Sequence, residues 1–202
     1  MSIEIKISKT PIKYKYAMKL LEKRVNDIKN RKASDLLWLL EHPKIYTKGI
    51  RGSDNDIIDK RIEVISTNRG GKITLHNPGQ KIIYLVIDLN KKKKDIRNFV
   101  QIIEKSIIQF LKLYDIKGKP NRKNIGIWVD KKKIAAIGIK VKKWIAYHGF
   151  ALNISNDLNV YKKIVPCGIR DRGVSNLNNI KKQNYKNIEN DLIKNFLSNI
   201  KN

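Results

Sequence analysis

The chain has 202 residues and carries 44 lysines and arginines against 18 aspartates and glutamates, a formal net charge of +26. That length suits a single domain, residues 1–202, with a substantial core. One cysteine rules out an internal disulfide and with it the oxidised scaffold of small secreted domains; no apolar run approaches the roughly 18 residues of a membrane span.

The opening "MSIEIKISK" has no apolar stretch of the kind a secretory signal needs, so the expectation is a cytoplasmic protein with no membrane partner. So large a positive charge raises nucleic acid as a partner. The lysines are spread along the whole chain and come with many Ile and Asn residues, as an AT-rich coding sequence would produce. There is no zinc-finger spacing, RNP-like aromatic motif or recognition helix. A nucleic-acid-binding module therefore ranks behind a generic solvated basic surface, and attraction to an acidic protein partner stays open as a third reading.

In chain order, Thr10 and Pro11 read as an N-cap and first-turn proline, followed by Tyr14, Met18, Leu21, Val25 and Ile28 at helical spacing. "DLLWLLEHP" is a short apolar run stopped by Pro43 and reads as a buried strand. Asp95 can cap a second helix whose stripe is Ile96, Phe99, Val100, Ile103, Ile107, Phe110 and Leu111. A last helix runs from Tyr185 through Ile188, Leu192 and Phe196 to Ile200. Between them "KITL", "KIIYLVIDL", "NIGIWVD", "KKIAAIGIKV" and "HGFALNI" are strand-forming runs, separated by turn formers such as Asn77-Pro78-Gly79. Ile125 to Val129 and Lys133 to Ile137 should form a hairpin across Asp130 to Lys132. Strand clusters flanked by helices make the class α+β with a mixed sheet; the lysine run at 91–94 reads as a solvated loop.

Three segments could carry chemistry. In "NRGGKITLHNPGQKIIYLVIDL" the paired glycines at 70 and 71 allow positive φ and close approach of a ligand, with Arg69 and His76 as donors, though taken alone the pair reads first as a tight turn. In "KKKIAAIGIKVKKWIAYHGFALNI" the small residues Ala135, Ala136 and Gly138 leave room above a sheet, for a ligand or for a closely packed helix, and His148 is either a pocket residue or a core histidine. In "KIVPCGIRDRG" the lone Cys167 stands in a proline-glycine turn. A thiolate attacks thioesters well when a nearby cation or base favours it, whereas most isolated cysteines are inert.

Together "LLEHPKIYTKG", "RGGKITLHNPGQKIIYLVIDL", "KKIAAIGIKVKKWIAYHGFALNI" and "IVPCGIRDRGVSNL" resemble, in order, the patterns of the lipoate-protein ligase B type octanoyltransferases, over Ile3 to about Leu177. The resemblance implies the single mixed-sheet catalytic domain shared with lipoate and biotin protein ligases. It implies an acyltransferase that moves an octanoyl group from acyl carrier protein to a lysine of lipoyl domains, those of 2-oxoacid dehydrogenase complexes and the glycine cleavage H protein. No resident cofactor or metal is implied, because the donor's phosphopantetheine travels on the acyl carrier protein. The carried-over catalytic pair is Cys167, as acyl-thioester nucleophile, and Lys133. The carried-over substrate-binding segments are Arg69, Gly70, Gly71, Lys72, Ile73, Thr74, Leu75 and His76, then Ala136, Ile137 and Gly138, then Gly149, Phe150 and Ala151. Two positions depart from the family's Y-H-G-P-G-Q: Leu75, expected to alter a pocket wall and with it acyl-length preference, and Asn77, expected to keep the turn by adopting the left-handed conformation. The same fold would also suit an ATP-dependent lipoate or biotin ligase, which needs no cysteine.

Overall fold

Strands that are apolar at every position need cover on both faces, and in this chain that requirement sets the layers. The computed structural model describes residues 2–168 and 173–201, and of Cys167 the backbone alone. The described elements are β1 (Ile3–Ile7), α1 (Tyr14–Lys29), β2 (Asp35–Leu40), β3 (Ile45–Lys48), β4 (Val64–Ser66), β5 (Ile73–His76), β6 (Gln80–Asp88), α2 (Ile96–Lys112), β7 (Lys119–Pro120), β8 (Gly126–Val129), β9 (Lys132–Lys142), β10 (Ile145–Asn153), α3 (Leu177–Ile180) and α4 (Ile188–Lys201). Seven strands form one mixed sheet in the order β1-β2-β6-β10-β9-β8-β7, with only β1 and β2 parallel. A smaller sheet, β4-β3-β5, lies beside it.

The central strands divide their side chains by parity. Leu36, Trp38, Leu40, Ile82, Tyr84 and Val86 face α1, while Leu37, Leu39, Ile83, Leu85 and Ile87 face α2 and α4. The α+β class and mixed sheet expected from the sequence are thus what the chain adopts. The α2 cap is also as expected, with the Asp95 carboxylate accepting from the Asn98 amide, a contact that stabilises a helix by about 1 kcal/mol.

Several boundaries differ. α1 begins at Tyr14 after Lys13, without a side-chain cap. Residues 8–12 stay outside the helix because the Ser8 and Ile12 amides donate to the carbonyls of Leu39 and Glu41, tying this segment to the end of β2. Within the α1 stripe Ala17 is fully buried and Met18 only partly so. Tyr185 precedes α4, its hydroxyl donating to the Lys181 carbonyl at 2.6 Å. The β8–β9 hairpin closes with two residues, Asp130 (φ 45°) and Lys131 (φ 65°), the doubly left-handed turn that matches strand twist; Lys132 already belongs to the strand. Asn77 is not left-handed; Gly79 supplies the positive φ (82°). Asn77 instead ties two loops together, donating to the Asp157 carbonyl and accepting from Asn156. Among the described residues no helix is long and apolar enough to cross a membrane.

Candidate active site

Alternation along a strand would put Lys133 on the same face as Ala135, against the α2 core. The register shift between β8 and β9 prevents this: Ile127 pairs with Ala135 but Trp128 pairs with Lys133, leaving Ile134 as an extra residue. Such a bulge re-aims a side chain. Ile134 and Ala135 both enter the α2 core, and Lys133 turns to the other face beside Trp128, its Nζ 5.2 Å from the ring centroid and donating to the Ile125 carbonyl at 3.1 Å. Lys133 is 6% exposed. Its backbone N–H donates to the Gly173 carbonyl and its carbonyl accepts from the Ser175 amide, so the chain returning from the cysteine turn is bonded to the strand at this lysine.

Beyond Ala136 the outer edge of β9 is no longer paired with β8, and the paired-glycine loop lies against it. Gly70 approaches so closely that a β-carbon there would sit 2.9 Å from the Ile139 carbonyl oxygen, which is why a glycine is needed. The loop is held from behind by three bonds, from the amides of Gly49, Ile50 and Arg51 to the carbonyls of Lys72, Arg69 and Gly71. The Arg69 guanidinium donates to the Thr47 carbonyl and hydroxyl at 2.8 and 2.9 Å, fastening the loop to β3. Lys72 extends from the loop to the Pro166–Gly168 turn, where its Nζ fills the space a β-carbon on Gly168 would take.

On β10, His148 has φ of 70° and its ring stacks on that of its neighbour Tyr147, centroids 4.8 Å apart; strict alternation would separate the two. Gly149 follows because any β-carbon there would collide with the Ile83 carbonyl oxygen of β6. His76 and His42 come within 5.6 Å of each other, and both rings pack on Tyr14. The Gln80 side chain donates to Asn153 and Tyr161, which leaves its carbonyl oxygen to accept from His76 Nδ1 at 2.7 Å.

Burial makes all three imidazoles hard to charge. His42 is pushed down to about 4, chiefly by burial and against the pull of the Ile12 carbonyl. His76 falls to about 3 by burial and then by the proximity of His42. His148 falls to about 3 by burial, with Arg69 and Lys140 adding repulsion. Each is therefore neutral at pH 7. Burial likewise raises the Tyr14 and Tyr84 phenols.

These parts enclose a cavity of about 430 Å³, within the range of small-molecule sites. It reaches both faces of the sheet around the free edge of β9. Ala136, Gly138 and Ala151 line it on one side, and Ile137, Phe150 and the α2 residues Ile96 and Val100 on the other. Of the residues expected from the sequence, Lys133, Arg69, Gly70, Gly71, Lys72, Thr74, His76 and Gly149 also line it. Ile73 and Leu75 do not. They occupy the alternate positions of β5 and are buried with Tyr46, Tyr161 and Ile164, so the Leu75 departure leaves the cavity wall unaltered. The nucleophile expectation falls on the Cys167 side chain, which lies outside the described residues together with 169–172. Tyr14, Tyr84, Arg51, Arg122, Lys123 and Val100 line the cavity without any local pattern that singles them out as site residues.

Residues 13–198 match the lipoyl protein ligase A/B catalytic domain. The chain belongs to that family. Within it, octanoyltransferases are close relatives: one from Wolbachia sp. subsp. Brugia malayi (strain TRS) is 44% identical over 180 residues, 87% of this chain and 88% of the relative. Another, from Nitrobacter hamburgensis, is 40% identical over 185 residues, 87% of this chain and 77% of the relative. The chain is accordingly an enzyme, a transferase of the octanoyltransferase kind. In fold it is similar to lipoate-protein ligase A bound with ATP, with a TM-score of 0.75 at 16% identity over 100% of this chain and 86% of that one. A bipartite lipoate protein ligase from Thermoplasma acidophilum gives 0.73 at 15% identity, over 100% and 84%.

Proposed function

We propose that the enzyme transfers an octanoyl group from octanoyl-acyl carrier protein to a lysine of lipoyl domains, through a thioester on Cys167. The observation that supports this most is Lys133, buried at the cavity, turned there by the Ile134 bulge and bonded through its backbone to the chain that returns from the cysteine turn.

In the first half-reaction the Lys133 amine takes the thiol proton, the thiolate attacks the octanoyl carbonyl carbon, and the bond to the phosphopantetheine sulfur breaks. That sulfur leaves with the proton returned from Lys133. In the second, the neutral amine of the acceptor lysine attacks the Cys167 thioester. An amide forms, the carbon–sulfur bond breaks, and the amine's proton passes through Lys133 to the cysteine sulfur. The Gly70 and Gly71 amides, which have no main-chain acceptor among the described residues, suit the negative charge that develops on the carbonyl oxygen. The apolar walls formed by Ala136, Ala151 and Ile137 suit an acyl chain.

The test is intact-mass measurement after incubation with octanoyl-acyl carrier protein and no ATP, for the wild type and Cys167→Ala. The expected result is one octanoyl group on the wild type alone, discharged when a lipoyl domain is added. Acylation of neither protein would overturn the reading in favour of an ATP-dependent ligase.

A further inference from the structure

Among the described residues, six cations and no carboxylate line the cavity. Arg69 is committed to Thr47 and Gly70, and Lys133 to the Ile125 carbonyl. The other four, Arg51, Lys72, Arg122 and Lys123, are exposed at the mouth, and none forms an ion pair among the described residues. Elsewhere on this surface cations do find acids: Lys48 pairs with Asp54, Arg61 and Lys163 with Asp59, and Lys81 with Glu41 and Glu189. The mouth is thus a place where the described residues leave positive charge uncompensated beside an apolar slot.

The backbones at Arg51, Lys72 and Lys123 are anchored, the Lys72 carbonyl accepting from the Gly49 amide. The Arg51 amide donates to the Gly71 carbonyl. The Asn121 side chain accepts from the amides of Lys123 and Asn124, fixing the loop before β8. That same loop bonds to Lys133 through Ile125, so its cations have a set relation to the proposed reacting centre. An apolar slot, a proton-transfer lysine at its side and held cations at its entrance match a ligand with three parts: an acyl chain, a reactive carbonyl and an anion further out.

We infer that the mouth cations, Arg122 and Lys123 foremost, bind the phosphate of the phosphopantetheine arm that presents the acyl thioester. This rests on the proposed function and goes further, because it assigns a phosphate subsite on the donor side and makes the arm, apart from the carrier protein's own surface, a recognised element. A phosphodiester, singly charged where the arm joins its carrier protein, is well held by guanidinium and ammonium groups when backbone anchoring has already limited their freedom.

The experiment measures kcat/KM for acylation of the protein by octanoyl-pantetheine and by octanoyl-4′-phosphopantetheine. The wild type, Arg122→Gln/Lys123→Gln and Lys15→Gln/Lys19→Gln are compared, the last removing equal charge from the exposed face of α1. The expected preference for the phosphorylated donor is about tenfold or more (~1.4 kcal/mol) in the wild type, near unity in the mouth variant and retained in the α1 variant. Equal rates with both donors in the wild type, or a preference that survives in the mouth variant, would overturn the phosphate subsite while leaving octanoyl transfer standing. Failure of both donors to acylate the wild type would instead remove the proposed function and the subsite with it. Octanoyl-coenzyme A separates the two sources of such an arm: a rate more than about tenfold above octanoyl-4′-phosphopantetheine would show that the site reads a nucleotide and would overturn the carrier-arm assignment.

Discussion

Acid should unfold this protein through its histidines. His42, His76 and His148 are all neutral and buried, with affinities for protons pushed from the ordinary 6.5 down to about 4, about 3 and about 3. The unfolded chain binds protons at these sites near pH 6.5, the folded one only far below it, so their contribution to stability is complete above pH 6.5 and is lost as the pH falls toward 4 and 3. At pH 5 each site costs about 2 kcal/mol, and the three together about 6 kcal/mol. That is comparable to the whole stability of many domains. His42→Gln isolates one share, because glutamine can still donate to the Ile12 carbonyl and accept from the Tyr84 hydroxyl as His42 does. Urea midpoints at pH 7, 6 and 5 should show the wild type losing about 2 kcal/mol more than His42→Gln between pH 7 and 5. Parallel pH profiles for the two proteins would refute the assignment of acid lability to these rings.

Lys133→Met should slow acylation of Cys167 by about 10²- to 10⁴-fold, the range for lost general acid–base catalysis; a fall of less than about threefold in a single-turnover assay would remove the lysine from that role. Lys72→Met takes away the ammonium against Gly168, so the alkylation rate of the thiol at pH 7 should drop severalfold, and an unchanged rate would show that this cation does not act on the cysteine turn. Ala136→Leu fills the slot on the α1 side and should shift preference toward shorter acyl groups by about tenfold in relative kcat/KM, read by comparing hexanoyl with octanoyl donors. Gly149→Ala sets a β-carbon against the Ile83 carbonyl. It should cost more than about 4 kcal/mol or prevent folding, and a urea midpoint close to the wild type would contradict the packing described for β6 and β10.

Much of the fold was legible from spacing. Alternation and apolar runs marked β2, β6, β9 and β10, and the 3.6-residue stripe marked α2, because those patterns record which face each side chain must bury. The short strands β3 and β4 were not legible, since four and three residues carry too little pattern to stand out from a loop. Nor was the start of α1, where Thr10 and Pro11 offer a good cap on paper but bonding of the flanking Ser8 and Ile12 to the end of β2 keeps them out of the helix.

By itself the sequence determined the family, the motif order, the lone thiol in its proline-glycine turn, and the lysine, arginine and glycines proposed for the site. The direction of Lys133 was decided only in three dimensions. Its alternation with Ala135 points the wrong way until the Ile134 bulge is formed against β8. The same holds for Leu75, which turns away from the cavity it neighbours in sequence, and for Arg122 and Lys123, which reach the mouth from a loop with no motif of its own. The physical reason is common to all three: a strand's pattern says which residues share a face, but the register with a partner strand and the loops bonded across it determine which face looks into the site.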